Sequence, residues 1–193
     1  SLSASGLMKN ILVSTTRQWN PGDEFIWWGV KRLLTTTLGI PFNVLLYNRH
    51  PQLHSWARFW TRKLALTPLF PDYDNSFFLE PNAEVDYVIF AGTPEWRGNI
   101  RVEPLLRYID SHKIRASFLG VGSGHNASPP SPLLRKVLTQ YTDLFIARDS
   151  KTFHDFKDFA RAYQEPCPSL FAVPENGIEP RRALKKIGVS VQA

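Results

Sequence analysis

The chain carries one cysteine, Cys167, and one methionine, Met8, among its 193 residues. A single cysteine excludes an intramolecular disulfide framework and a multi-cysteine metal site. The expectation for Cys167 itself is a buried, inert thiol. No run of eighteen apolar residues occurs, so no segment reads as a membrane span. Residues 1–7 lack both a charged start and a long apolar run, which argues against a secretory signal. Met8 therefore reads as the native start, residues 1–7 as an expression remnant, and the cytoplasm as the compartment. No Lys/Arg run reaches five, although the formal net charge is +6 and the pI about 9.6. Such a balance favours an anionic partner: a phosphate, a nucleotide, an acidic sugar or a membrane face. Its scattering gives no support to nucleic-acid binding. Neither a G-x-G-x-x-G fingerprint nor a P-loop is present, and no internal repeat or low-complexity tract appears.

What is present is an alternation of apolar runs of strand length with helix-length periodic segments. Strands are expected at residues 11–13, 42–47, 85–91, 116–121 and 144–147, and helices at 25–34, 103–111, 132–140 and 151–161. The run Tyr87-Val88-Ile89-Phe90-Ala91 is apolar at every position, the signature of a strand covered on both faces. The fold class that follows is α/β: a Rossmann-like, doubly wound, mainly parallel sheet with helices on both faces. The last third is rich in proline, with Glu165-Pro166-Cys167-Pro168, Pro174-Glu175-Asn176-Gly177 and Glu179-Pro180, and reads as a linker. A domain over residues 8–173, a linker over 174–185, and either the first strand of a second domain or a return strand over 186–193 is the expected organisation.

In open parallel sheets ligands bind outside the carboxyl ends of the strands, so the loops there are where chemistry is sought. After the first strand come Ser14, Thr15, Thr16, Arg17 and then Asn20-Pro21-Gly22-Asp23-Glu24. The plain structural reading is a turn in which Asp23 caps the following helix and Glu24 favours its first turn. The functional reading adds backbone N–H groups, hydroxyls and the Arg17 charge, suited to a phosphate or, given the acidic pair, to sugar hydroxyls. The third strand leads into Gly92-Thr93-Pro94-Glu95-Trp96, where a carboxylate beside an indole suits a sugar ring or, more simply, where Trp96 plugs the domain edge. The next loop, Gly120-Val121-Gly122-Ser123-Gly124-His125, lets backbone approach a ligand closely. His125 is there either a general acid/base or a solvated side chain. Arg148 ends the fifth strand, where it can meet an anion, and Asp149 or Ser150 caps the helix beyond. Candidate catalytic residues are thus Asp23 and His125, with Thr16, Arg17, Asn20, Gly22, Glu24, Thr93, Glu95, Trp96, Gly122, Gly124 and Arg148 as candidate substrate-binding residues. Residues 53–64 set Trp56, Trp60 and Leu64 on one helical face and His54, Arg58 and Arg62 on another. That pattern suits a core-facing surface helix or one lying on an anionic membrane.

The order of these motifs resembles the polysaccharide pyruvyl transferase family. Asn20-Pro21-Gly22-Asp23-Glu24-Phe25-Ile26 with Gly29 looks like its N-x-G-D-E-x-I opening, and Asp86-Tyr87-Val88-Ile89-Phe90-Ala91-Gly92 is similar to its D-x-V-I-x-x-G strand. Gly120-Val121-Gly122, Ala147-Arg148-Asp149-Ser150, Pro166-Cys167-Pro168 and Ile187-Gly188-Val189-Ser190 follow in the family's order. The resemblance implies the first half of a two-domain, glycosyltransferase-B-like fold with its active site between the domains. It also implies transfer of an enolpyruvyl group from phosphoenolpyruvate to a saccharide or lipid-linked saccharide of the cell envelope or an exopolysaccharide. Phosphoenolpyruvate is then donor substrate, no cofactor is expected, and this chain supplies the acceptor side. A non-catalytic saccharide- or nucleotide-binding module, or a glycosyltransferase using a nucleotide sugar, is the alternative on the same scaffold. Half a cleft cannot exclude water or orient two substrates, so the chain by itself is expected to be inactive.

Overall fold

The structure, a computed structural model, describes residues 8–16, 21–49, 84–94, 102–122 and 130–172. Within them six strands form one sheet: β1 (Lys9–Thr15), β2 (Phe42–Asn48), β3 (Tyr87–Ala91), β4 (Arg115–Val121), β5 (Thr142–Ala147) and β6 (Ala162–Gln164). Four α-helices accompany them, α1 (Pro21–Thr37), α2 (Glu103–His112), α3 (Pro132–Gln140) and α4 (Ser150–Phe156), and a 3-10 turn spans Pro168–Phe171. The spatial order is β2-β1-β3-β4-β5-β6, and every pairing is parallel. The chain steps one way from β1 to β2, crosses back past β1, and then steps the other way from β3 to β6. Right-handed crossovers in opposite directions put their helices on opposite faces. The chain is therefore the expected Rossmann-like, doubly wound α/β fold.

Two apolar layers result, and they explain why the central strands are apolar at every position. Val88 and Phe90 of β3 enter a core shared with Leu105, Leu106 and Ile109 of α2 and Leu134, Val137 and Leu138 of α3. Ile89 and Ala91 enter the opposite core with Ile26, Trp27 and Val30 of α1. In the first core the register places Phe90 beside Phe118 and Phe118 beside Phe145. Their rings run in a row, with centroids 4.3 and 5.8 Å apart, that Phe156 of α4 extends at 5.2 Å. Such pairs add to the burial that is the main stabilising term.

The helix starts are locally encoded. Ser131 caps α3, its Oγ accepting from the Leu134 N–H at 3.2 Å, and Asp149 rather than Ser150 caps α4, accepting from the Thr152 N–H at 2.8 Å. Two expectations are corrected. Helix α1 begins at Pro21, so Asp23 lies within its first turn instead of capping it. Helix α4 ends at Phe156 and not at 161, because the chain turns there, with Phe159 N–H bonded to Phe156 O at 3.0 Å, to reach the sheet edge as β6.

Asp86, the first residue of the D-x-V-I-x-x-G segment, works at the amino ends of the strands. Its carboxylate accepts from Lys9 Nζ and from the Asn10 N–H, both at 2.8 Å, fastening β1 to the entry of β3. These bonds hold its pKa below the usual aspartate range, the Lys9 bond contributing most. Beside them Tyr87 Oη meets Ser117 Oγ at 2.7 Å and donates to Asp143 at 3.0 Å. Asp143 is itself paired with Arg115, and burial pushes the Tyr87 hydroxyl up to about 12.

At the other end of the sheet the proline-rich stretch begins as part of this domain. Glu165 N–H bonds to Ala147 O at 3.1 Å, continuing the β5 edge. Pro168 then wedges between α1 and β4. A Cβ on Gly29 would lie 1.7 Å from Pro168 O, and one on Gly120 (φ +74°) 2.7 Å from Pro168 Cδ and 3.6 Å from Cys167 Sγ. Cys167 is partly buried rather than fully so. In a mid-helix position alanine outranks glycine by about 1 kcal/mol, so Gly29→Ala sets propensity against a clash with backbone that cannot rotate away. The clash should win, with overpacking at the upper end of the usual range of about 1–3 kcal/mol. Thermal unfolding is expected to show a melting temperature lower by roughly 4–8 °C; an unchanged or higher value would contradict the wedge.

Candidate active site

The reversal of strand order falls between β1 and β3, and in such sheets the crevice that takes a ligand lies there, outside the carboxyl ends of the strands. The ends of five strands supply its walls. Thr16 follows β1 and Asp23 stands in the first turn of α1; Arg49 follows β2; Gly92 and Thr93 follow β3; Gly122 follows β4; Arg148 follows β5.

Asp23 is the centre of this group. It lies against Gly92, where an added Cβ would come 3.3 Å from Asp23 Oδ1, 3.4 Å from Ile26 Cδ1 and 3.9 Å from Arg49 Nη2. Gly92 has φ +82°, a left-handed conformation that β-carbons disfavour, so glycine is required there by backbone and by space together. Burial raises the Asp23 carboxyl above the ordinary aspartate value. The Arg49 charge, a hydrogen bond from Thr16 and the Arg148 charge oppose that rise without cancelling it. Thr16 is nearly buried at 6% exposure, so this bond is sheltered from water.

Arg49 is 2% exposed, a depth at which arginine is rarely found without partners. Its Nη2 donates to Ala91 O at 3.0 Å, reaching from the end of β2 over the end of β1 to β3. Its own N–H bonds to Thr15 O at 2.8 Å. Arg49 was not among the residues singled out from the sequence, although the rule that directs attention to strand ends applies to it as it does to Arg148. Burial of the cation carries the functional weight, and no sequence pattern announces it.

The remaining candidates divide in two. Thr93 Oγ1 accepts from the Gly122 N–H and donates to Gly122 O, both at 2.9 Å, joining the ends of β3 and β4. The Arg148 guanidinium lies across Gly122, with Nε 2.4 Å from where a Cβ would stand. Gly22 and Glu24 share the first turn of α1 with Asp23. The structure therefore brings Thr16, Gly22, Asp23, Glu24, Thr93, Gly122 and Arg148 to one end of the sheet. Arg17, Asn20, Glu95, Trp96, Gly124 and His125, like the amphipathic segment 53–64, lie outside the described residues. Among the described residues, Ser14 Oγ and Thr15 Oγ1, buried at the end of β1, have no hydrogen-bond partner. Among the described residues no group of three or more His, Cys, Asp or Glu could hold a metal ion, and no helix is long and apolar enough to cross a membrane.

A protein-family model described as polysaccharide pyruvyl transferase matches residues 20–190. No curated protein and no solved structure matches the chain.

The position of Asp23 has a signature in stability. Its folded-state pKa is raised, so the native carboxyl holds its proton more tightly than the unfolded one does. The stability this contributes is fully present below the ordinary aspartate range and is lost as pH rises through the elevated folded value. Asp23→Asn keeps the shape and removes the charge. Denaturant unfolding across this range should show the variant without that decline and at least as stable as the native chain at neutral pH. A variant clearly less stable at neutral pH would mean that the ionised carboxylate holds the fold together.

Proposed function

The chain belongs to the polysaccharide pyruvyl transferase family, and from there we propose that it supplies the acceptor side of a transfer of the pyruvyl carbons of phosphoenolpyruvate to a saccharide. The observation that carries this reading is Asp23, packed against Gly92 at the switch point of the sheet, within reach of the Arg49 and Arg148 charges and raised by burial above the ordinary aspartate value. A general base works best when its pKa has been brought toward the operating pH, and partial desolvation moves an aspartate in that direction.

In the proposed reaction C3 of phosphoenolpyruvate takes a proton and becomes the methyl group, leaving positive charge at C2. One acceptor hydroxyl bonds to C2 and gives its proton to Asp23. The C2–O bond to phosphate breaks and the electron pair leaves with phosphate. A second hydroxyl of the same sugar closes the ketal, and its proton departs with the phosphate. The two hydroxyl protons thus balance the one gained at C3 and the one carried away. Arg148 is proposed to face the anionic donor, while the Arg49 charge favours the ionised form of Asp23; fixed cations aimed at developing negative charge are among the largest catalytic contributions. His125 is proposed as the acid that protonates C3. Arg17, Asn20, Gly22, Glu24, Glu95, Trp96 and Gly124 are proposed contacts to the sugar or its carrier. A saccharide or lipid-linked saccharide of the cell envelope is the proposed acceptor class, with the cytoplasm, at the inner membrane face, as the place of reaction.

The Arg148 cation at the strand ends would also suit the pyrophosphate of a nucleotide sugar, which makes a glycosyltransferase the second reading. The two are separated by incubating the full-length protein with acceptor and either phosphoenolpyruvate or a nucleotide sugar. Phosphate release together with a new ketal methyl resonance identifies the first. In that assay Asp23→Ala is expected to lower kcat by roughly 10²–10⁴-fold, the usual range for loss of a general base. Arg148→Ala should chiefly raise KM for phosphoenolpyruvate. Turnover by Asp23→Ala at the native rate would remove Asp23 from the chemistry.

A further inference from the structure

We propose that Thr93 and Gly122 are positioning residues that together aim the Arg148 guanidinium into the crevice beside Asp23. The proposal rests on the reading of that crevice as the active site, but its geometry is independent of which substrate is bound there.

Arg148 is anchored at its backbone by an N–H bond to Val121 O of 2.9 Å, so its side chain starts alongside the end of β4. From there the guanidinium lies flat across the α-carbon of Gly122: a Cβ at that position would stand 2.4 Å from Nε, 2.8 Å from Nη2 and 2.9 Å from Cζ. Any side chain at 122 must push the guanidinium off its seat. Glycine is demanded here by the neighbour and not by backbone strain, since Gly122 is not among the positive-φ residues.

A seat made of one residue is useful only if that residue is held. Regular pairing of β3 with β4 ends at Ala91 and Leu119, and one further backbone bond, Gly92 N–H to Leu119 O at 2.8 Å, follows it. Gly122 lies beyond that point. Thr93 takes over there with a single hydroxyl that meets both the N–H and the C=O of Gly122, each at 2.9 Å. At a strand end water could satisfy both groups, so the clamp adds position more than it adds hydrogen bonds. Thr93 is also the residue after Gly92, against which Asp23 packs. One dipeptide thus touches the carboxylate with its first residue and, with its second, fixes the platform of the opposing cation. Valine has the shape of threonine without the hydroxyl, and serine has the hydroxyl without the methyl, which makes the clamp separable from packing.

The test reads the position of Arg148 through its charge. Among the described residues the charged groups acting on Asp23 are Arg49 from the end of β2 and Arg148 from the end of β5, and Glu24 is its neighbour on α1. A nearby cation favours the carboxylate, so withdrawing it moves the titration of Asp23 to higher pH. Carbon-13 NMR of the Asp23 carboxyl in the chain, with melting temperature recorded alongside, is compared for Arg148→Gln, Thr93→Val, Thr93→Ser and Gly122→Ala. The expected result is an upward shift in Arg148→Gln, Thr93→Val and Gly122→Ala, with Thr93→Ser at the native position. In the full-length enzyme the acidic limb of the rate profile should move the same way in Thr93→Val and return in Thr93→Ser. An Asp23 titration that moves in Arg148→Gln but stays native in Thr93→Val overturns the proposal, as does one that Arg148→Gln leaves in place. Should Gly122→Ala fail to fold, the near-isosteric Thr93→Val and its serine partner still decide. Because the titration does not depend on turnover, a failure of Asp23 as catalytic base, seen as native activity in Asp23→Ala, leaves this result standing and is distinguishable from it.

Discussion

A charged side chain taken out of water must find compensating partners close by, and the guanidinium of Arg49 does so at the one place where the sheet cannot help itself. Where the strand order reverses, α1 and α2 pack on opposite faces, and the β1–β3 ladder ends at Ser14 and Phe90. Arg49 spans the gap, from the end of β2, over β1, to the carbonyl of Ala91 on β3. The same cation offsets part of the desolvation of Asp23. Burial lifts Asp23 above a surface aspartate, and the Arg49 charge works against that rise.

Much of the scaffold was legible because burial on both faces leaves a direct trace. The run from Tyr87 to Ala91 admits no wet face, and the cores on its two sides are the ones that alternation predicts. The helix expected at 132–140 stands at Pro132–Gln140. The strand β6 left no such trace: three residues, two of them exposed, at the edge of the sheet carry almost no apolar signal. Helical periodicity continued past Phe156 for the same reason, since an exposed turn and an exposed helix look alike in residue type.

The site was legible in outline and not in its wiring. Strand ends pointed to Thr16, Asp23, Thr93, Gly122 and Arg148, and these do share one end of the sheet. What could not be read was which of them face one another. The pairing of Thr93 with Gly122 crosses 29 positions of sequence, and the depth of Arg49 depends on every strand being in place. Asp86 shows the reverse case. Its place in the recognised segment gave it prominence, yet its bonds to Lys9 and Asn10 fasten the amino ends of the strands, far from the crevice.

The wedge of Pro168 against Gly29 also makes α1 a lever. Gly29 stands six positions beyond Asp23, about 9 Å along the helix axis, and at Gly29 the helix touches the carbonyl of Pro168 with no side chain between them to absorb movement. A rigid helix pinned at its middle transmits to its ends whatever displaces the pin. A shift or twist of the segment around Cys167 and Pro168 would therefore re-aim Asp23 relative to Arg49 and Arg148, coupling the attitude of the chain at that wedge to the alignment of the carboxylate.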